Sequence, residues 1–401
     1  QFARDAIQYA ESPDLVRAFW KGISAIKVLD PACGSGAFLF AALNILYDLY
    51  DACLERMEQF VETALEGSGP RQLYSDFRTV LERIERHPNR SYFIYKSIIL
   101  DNLYGVDIMD EAVEICKLRL FLKLASQLES ADQIEPLPDI DFNIRAGNTL
   151  VGYTSFDDVR KATSSRGFDF DDRAGKIEAS AQDHGARLRL FREQQTKVHG
   201  EITSADKAEL RARLAALNME LDHFLAEDYG VQGADKTTKD SRLKKWKAAH
   251  KPFHWLSEFY DIVVGHGFDV VVGNPPYVKA GDVRKDYAIL GYDTERCPDM
   301  YAWIMERAAE LTSENGFYGM IVPLSLAFSS GFQPLRQLLL KEFDANWFSS
   351  FARIPAALFS ADVRVRNTIH IGQRCGRQGN YTTSTHRWFE VARPHLVERI
   401  E

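Results

Sequence analysis

Residues 268–277 read Phe268-Asp269-Val270-Val271-Val272-Gly273-Asn274-Pro275-Pro276-Tyr277. Phe268 to Val272 is a short β-rich run closed by a turn signal, which fits a buried strand of a parallel sheet. A polar amide follows, locked by two prolines that each fix their own φ and restrict the residue before them. A plain strand-to-loop turn has no need of such rigidity, whereas pre-organising a polar group does. Gly273 leaves room beside the amide, and Tyr277 offers a flat face to a planar ligand.

Three further stretches read the same way. Ala25 to Leu29 ends at Asp30-Pro31, Leu103 to Val106 ends at Asp107, and Gly316 to Val322 ends at Pro323. Helical patterns run over 37–50, Glu111 to Leu128, Met300 to Leu311 and Gln333 to Lys341. Strand–helix alternation predicts an α/β fold, a doubly wound and mostly parallel sheet with helices on both faces. Ligands in such sheets bind at the carboxyl ends of the strands. Those ends carry Asp30, Asp107 and Asn274.

The segment Val28-Leu29-Asp30-Pro31-Ala32-Cys33-Gly34-Ser35-Gly36-Ala37-Phe38 closes a strand and opens a helix. Glycines there let a ligand approach the backbone. No GK[ST] follows, so this is not a P-loop. Leu39 stands where a dinucleotide fingerprint has its third glycine, which disfavours a pyrophosphate ligand. Asp107 can accept both hydroxyls of a ribose. It lies 71 residues beyond Gly36, and helices inserted over 51–98 account for that distance. Capping the helix that begins near Asp110 is the alternative role, and the two can coexist. Asn148, in Ala146-Gly147-Asn148-Thr149-Leu150, follows another strand end and reads as a partner for an adenine edge or as a turn residue.

Residues 151–253 form a second, mostly helical insertion. Leu210, Leu214, Leu217, Leu221 and Phe224 make a heptad-like seam. It predicts a helical hairpin packed on the main body, with a partner-binding coiled coil as the sharper alternative. Lys236, Lys239, Arg242, Lys244, Lys245, Lys247 and Lys251 follow, either as a solvated face or as a phosphate-contacting patch. The chain has 401 residues, enough for two or three domains at about 150 residues each. Its net charge of −8 excludes a basic nucleic-acid coat as a whole and leaves a local basic groove open. Five cysteines without a CxxC pair argue against a zinc ribbon or disulfide scaffold and for a reducing compartment. The apolar runs fall short of about 18 residues, which predicts no membrane span. The chain opens on Gln1 with no signal-peptide pattern, which reads as an excised domain or as a chain whose disordered start is left out.

Asp30-Pro31-Ala32-Cys33-Gly34-Ser35-Gly36-Ala37-Phe38 followed by Asn274-Pro275-Pro276-Tyr277 resembles the S-adenosylmethionine-dependent amino-methyltransferases of DNA, in their gamma order. Within them it is most similar to the methyltransferase region of type IIG restriction–modification enzymes and of BREX-type phage-defence methyltransferases. Tyr104 to Asp107, Gly147 to Leu150, His254-Trp255, Asp299-Met300-Tyr301 and Gly319 to Pro323 support the resemblance.

The resemblance implies a Rossmann-like fold with a cofactor-binding half over 1–150 and a target-base half over 254–385. Residues 386–401 would begin the connection to a target-recognition domain. It implies S-adenosyl-L-methionine as cofactor. Gly34 and Gly36 would pass under its methionine part, with Asp30 near the ammonium and Pro31, Ala32 and Phe38 beside them. Asp107 would take the ribose hydroxyls, Ile108 would pack on the cofactor adenine, and Asn148 would meet the adenine amine, with Thr149 beside it. It further implies methylation of the N6 amine of an adenine flipped out of double-stranded DNA. The Asn274 side-chain oxygen and the Pro275 carbonyl would accept the amine hydrogens, with Pro276 stiffening the turn. Tyr277 would stack on the base and Phe359 would close its other face. No metal is needed. Cytosine N4 or protein glutamine is the alternative acceptor, and a non-catalytic cofactor-binding module the alternative class. No PD…ExK-like nuclease arrangement is present in the sequence, so the chain reads as the catalytic core of a larger enzyme. The remaining partners would be an N-terminal nuclease or other defence subunits, in a bacterial or archaeal cytoplasm.

Overall fold

The computed structural model describes residues 1–66, 74–130, 138–164, 169–195, 204–232, 236–359 and 365–396. Its strands are β1 (Val28–Asp30), β2 (Leu103–Asp107), β3 (Ile144–Ala146), β4 (Phe268–Gly273), β5 (Thr312–Pro323), β6 (Ala345–Phe351), β7 (Asn367–Gln373) and β8 (Gly379–Thr382). They form one sheet in the order β3-β2-β1-β4-β5-β7-β6-β8. All neighbours pair in parallel except those of β7, which runs antiparallel between β5 and β6. The fold is thus the α/β, mostly parallel sheet that the strand–helix alternation predicts.

Successive side chains of a strand point to opposite faces, and both faces here are covered. Val28 and Leu103 pack with Leu39, Leu43 and Leu120 on one side. Leu29, Tyr104 and Val271 pack with Trp255, Tyr301 and Leu335 on the other. The first layer comes from the helices Pro13–Ala25, Ala37–Glu66, Arg90–Asp101 and Asp110–Ala125, the second from Tyr301–Leu311 and Gln333–Glu342. Burial on both faces is why the central strands are short, continuous apolar runs.

Several boundaries differ from the sequence reading. Ala25 ends a helix rather than opening β1; that helix starts at Pro13 behind a Ser12 side chain that accepts the Asp14 N–H at 3.2 Å. The helix expected over 37–50 continues unbroken to Glu66 and buries Ala52, Cys53, Leu54 and Met57. Its portion Ala37–Ala64 is long and apolar enough by composition to cross a membrane, contrary to the expectation of no such segment. In this fold Leu39, Leu43, Leu46 and Tyr50 of that helix lie in the core under the sheet.

Residues 151–253 contain the helices Phe156–Ser164, Asp169–Gln195, Ser204–Asp228 and Lys236–His250. All five seam residues are buried inside the molecule, Leu210 and Leu214 against Phe142 and Leu188, the others against Leu150, Trp303 and Ile304. The seam is therefore a packed hairpin and leaves no coiled-coil face for a partner. The basic run is largely tied inward. Lys239 pairs with Glu227, Lys247 with Asp222 and Lys251 with Asp110, while Arg242 donates to the Gln232 carbonyl.

Candidate functional site

The chain leaves β1 toward β2 and β3, then returns to β4 on the other side of β1. The crevice between β1 and β4 is therefore the switch point at which open α/β sheets take ligands. Asp30 and Gly273 end the two flanking strands. Because β7 is antiparallel, its first residue, Asn367, lies at the same edge, paired with Pro323 and Phe351.

The glycine turn is held from three sides. Gly34 and Gly36 have φ of +51° and +83°, a region that favours glycine, and a Cβ on Gly36 would stand 2.5 Å from Cys116 Sγ. The Gly34 N–H donates to Asp107 Oδ2 at 2.9 Å. Arg119 donates to the Ser35 carbonyl at 2.6 Å. The Thr149 hydroxyl donates to the Pro31 carbonyl at 2.5 Å, so Thr149 braces the turn. Pro31 and Gly36 are buried, and Ala32 and Phe38 half-buried.

Asp107 is half-buried and its other oxygen accepts the Met109 N–H at 2.9 Å. It stabilises the entry to the following helix while each oxygen keeps a lone pair for a ligand. Ile108 is half-buried, and its carbonyl accepts from Lys251 Nζ at 3.0 Å. Asp30 is buried and accepts the Ala32 N–H at 3.1 Å. Burial pushes its carboxyl up to about 7, helped by the negative Asp107 and opposed by the Ala32 N–H.

Asn148 is buried; its side-chain oxygen accepts the Leu150 N–H at 3.1 Å, as a turn residue would. That bond fixes which way the amide points, with Nδ2 buried and facing the Tyr287 hydroxyl. Nδ2 is a donor, which suits a ring nitrogen of an adenine and not its amine.

At the end of β4, Pro275 is buried, Pro276 exposed, and Asn274 and Tyr277 half-buried. The Tyr277 hydroxyl lies 2.7 Å from Asn274 Oδ1 and 3.1 Å from the Ile321 carbonyl, and it accepts from Asn367 Nδ2 at 3.1 Å. Burial raises the phenol well above its ordinary value, with the Asn367 bond opposing, so the hydroxyl keeps its hydrogen. The Tyr277 ring meets the Tyr301 ring edge-on at 6.4 Å. The chain beyond it is clamped by Met300, whose N–H donates to Val278 at 2.8 Å, and by Pro298, whose carbonyl accepts from Ala280 at 2.9 Å.

Phe359 is half-buried in the connection between β6 and β7. Among the described residues it makes no ring contact with Tyr277. Arg364, in a stretch Arg364-Val365-Arg366-Asn367 whose sequence suits a phosphate contact or a plain surface turn, lies outside the described residues. Arg353, Arg366 and Arg387 line a cavity of about 740 Å³ with Ile354, Pro355 and Phe389, and no acidic residue is among its described lining. The connections after β6 and before β7 that carry two of these arginines leave the sheet at the edge of Asn274.

Sequence reasoning missed Asn367, Lys251 and Arg119. Asn367 reaches Tyr277 only through the β5–β7 pairing, and Lys251 reaches Ile108 only through the fold of the insertion. Neither leaves a local pattern.

The description "Eco57I restriction-modification methylase" matches residues 101–354, and "MmeI, DNA-methyltransferase domain" matches residues 6–150. A putative type II restriction enzyme and methyltransferase of Methanocaldococcus jannaschii is 28% identical over 376 residues, covering 82% of this chain and 28% of that protein. The adenine-specific methyltransferase BrxX of Escherichia coli is 24% identical over 357 residues, covering 84% of this chain and 24% of that one. The type IIL restriction-modification enzyme MmeI, solved in complex with DNA, aligns with 97% of this chain and 36% of its own at 12% identity and a TM-score of 0.44. The chain spans about a quarter of the length of the curated relatives it matches. The first of these matches runs from β2 to the connection after β6, takes in the Asn-Pro-Pro-Tyr segment and covers more than half the chain, which therefore belongs to the Eco57I restriction-modification methylase family.

Proposed function

We propose that this chain transfers a methyl group from S-adenosylmethionine to the N6 amine of an adenine in double-stranded DNA. The observation that carries the reading is a fixed amide acceptor, Asn274 Oδ1, one strand away from the buried carboxylate of Asp30 and the side-chain-free turn at Gly34 and Gly36. The family named above and the adenine-specific relatives support the same reading.

The residues fit this cofactor. A buried carboxylate raised to about 7 is stabilised by a cation, and the methionine ammonium is one. Asp107 keeps acceptor capacity for ribose hydroxyls beside the half-buried Ile108, and Asn148 Nδ2 is a buried donor beside the Tyr287 hydroxyl. The cofactor supplies an electrophilic methyl on a sulfonium. The chain holds the acceptor. Asn274 Oδ1 and the Pro275 carbonyl accept the two amine hydrogens, which draws the nitrogen lone pair out of the aromatic ring and toward the methyl. A paired adenine cannot reach this crevice, so the base leaves the stack. Tyr277 gives it an aromatic face, with Phe359 as the candidate for the opposite one. The arginine-lined cavity at the same edge offers contacts to phosphates. Base specificity would come from a recognition domain elsewhere in the longer protein, and cleavage from a nuclease or other defence subunits.

The test is methyl transfer to duplex DNA followed by identification of the modified base. N6-methyladenine from the native protein, with at least about a hundredfold loss in Asn274→Ala, supports the reading. Undiminished transfer by Asn274→Ala, or N4-methylcytosine or methylglutamine as the product, overturns it.

A further inference from the structure

The Tyr277 hydroxyl has one hydrogen and two acceptors for it, Asn274 Oδ1 at 2.7 Å and the Ile321 carbonyl at 3.1 Å. Its oxygen in turn accepts from Asn367 Nδ2 at 3.1 Å. Asn367 is 1% exposed and opens β7, a strand with no residue in the glycine or proline motifs. Its other polar contact, to the Val322 carbonyl, is long at 3.5 Å, and its own side-chain oxygen is buried without a partner. Burying an amide half-satisfied is unfavourable, and an apolar residue would avoid the cost. Among the described residues, the one short bond that this side chain makes is to Tyr277.

We propose that Asn367 is a positioning residue for methyl transfer, holding the Tyr277 hydroxyl where its single hydrogen passes between Asn274 and Ile321. With the hydrogen on Asn274, the amide is kept oxygen-first toward the crevice. With the hydrogen on Ile321, both lone pairs of Asn274 Oδ1 are free for the incoming amine. The exchange needs a hydroxyl rotation and no displacement of heavy atoms. Asn367 makes it work by occupying the oxygen from the third side, so that the ring cannot swing away. This rests on the reading of Asn274 as the amine acceptor.

The test is a double-mutant cycle on methyl transfer. Asn367→Leu keeps the branched shape and the number of side-chain heavy atoms and removes the donor; kcat should fall about tenfold, with the cofactor KM within about twofold of native. In a Tyr277→Phe background, Asn367→Leu should change kcat by no more than about twofold, because the hydroxyl it holds is gone. Losses that multiply independently, or no loss in the single variant, overturn the proposal. If Asn367→Leu does not fold, Asn367→Asp takes its place. A carboxylate there captures the Tyr277 hydrogen, so the hydroxyl can no longer orient the Asn274 amide, and activity relative to native should decline as pH rises and the carboxyl ionises; a pH-independent ratio overturns the proposal. If the native protein transfers no methyl to adenine, the functional reading fails on its own, and the Asn367 contact is judged by the side-chain amide resonance of Asn367 in asparagine-labelled chain. A resonance that shifts in Tyr277→Phe supports the contact, and one that does not move refutes it.

Discussion

A Cβ built on Gly273 would stand 2.9 Å from the Oδ1 of Asp30 and 3.5 Å from the sulfur of Met320. The ends of β1 and β4, which carry the glycine turn and the amide turn, therefore meet at a position where the chain has no side chain. The Asp30 carboxylate has little room to yield, since it is buried and held by the Ala32 N–H.

Gly273→Ala should displace that carboxylate. The expected cost is about 1–3 kcal/mol of stability, as for other overpacked sites, with a fall of about tenfold in cofactor affinity. Gly319→Ala is the control, because a Cβ there meets only Val272 Cγ2 at an ordinary 3.9 Å. Thermal denaturation and calorimetric titration of both variants check this, and equal behaviour of the two would refute the Asp30 contact.

Asp30 also sets a pH dependence. Its carboxyl is raised by burial from 3.8 to about 7. Between those values the folded chain holds a proton that the unfolded chain has lost, so this group's contribution to stability falls as pH rises through that window. Asp30→Asn should flatten the decline of the urea midpoint between about pH 4 and pH 7. A cation bound beside the carboxylate should reverse the shift. S-adenosylmethionine binding near pH 7 should then release about half a proton. Titrations in buffers of different ionisation enthalpy measure it, and no release would remove Asp30 from the cation site.

Much of this site was legible because its parts are local. Asp30, Asp107 and Asn274 each end a β-rich run, and glycines or prolines beside them mark the backbone as special. The contact between Asp30 and Gly273 was not legible, since it depends on β4 returning beside β1. Asn367 was hidden for the same reason, as it acts through strand pairing and closes Arg364-Val365-Arg366-Asn367, which reads as a phosphate contact or a plain surface turn. β6 carries Asn346, Ser349 and Ser350, and its polar residues obscured a strand that is nonetheless mostly buried. The long helix to Glu66 was cut short at 50 although neither glycine nor proline interrupts residues 37–66. The change to charged residues there marks an exposed face, and the buried stripe continues.

Thr149→Val should separate bracing from ligand contact. The hydroxyl donates to Pro31 at 2.5 Å from a buried position, and the Thr149 carbonyl accepts from Trp255 Nε1 at 3.2 Å. Valine keeps the shape and leaves the Pro31 carbonyl unmet, at a cost of about 1–3 kcal/mol. Thr149→Ser should restore most of it. Cofactor affinity should fall with valine and recover with serine in step with stability, read by thermal midpoint and calorimetry. A loss of affinity with valine at unchanged stability would make Thr149 a direct ligand instead.

The arginine-lined cavity supplies the last prediction. Arg353, Arg366 and Arg387 are exposed, and their described surroundings in that cavity hold no acid to neutralise them. The chain as a whole is negative, so attraction of a polyanion has to come from local basic clusters such as this one. If the cluster contacts duplex phosphates, each arginine that does so releases counterions when it binds. Replacing one with alanine should then reduce the slope of log affinity against log salt by about 0.9, and replacing all three by close to threefold that amount. Lys244→Ala, on the exposed face of the insertion helix Lys236–His250, should leave the slope unchanged if the basic run there contacts no phosphate. Fluorescence anisotropy across a salt series reads both. A slope that responds to Lys244 and ignores the three arginines would move the duplex from the edge of the sheet onto the insertion.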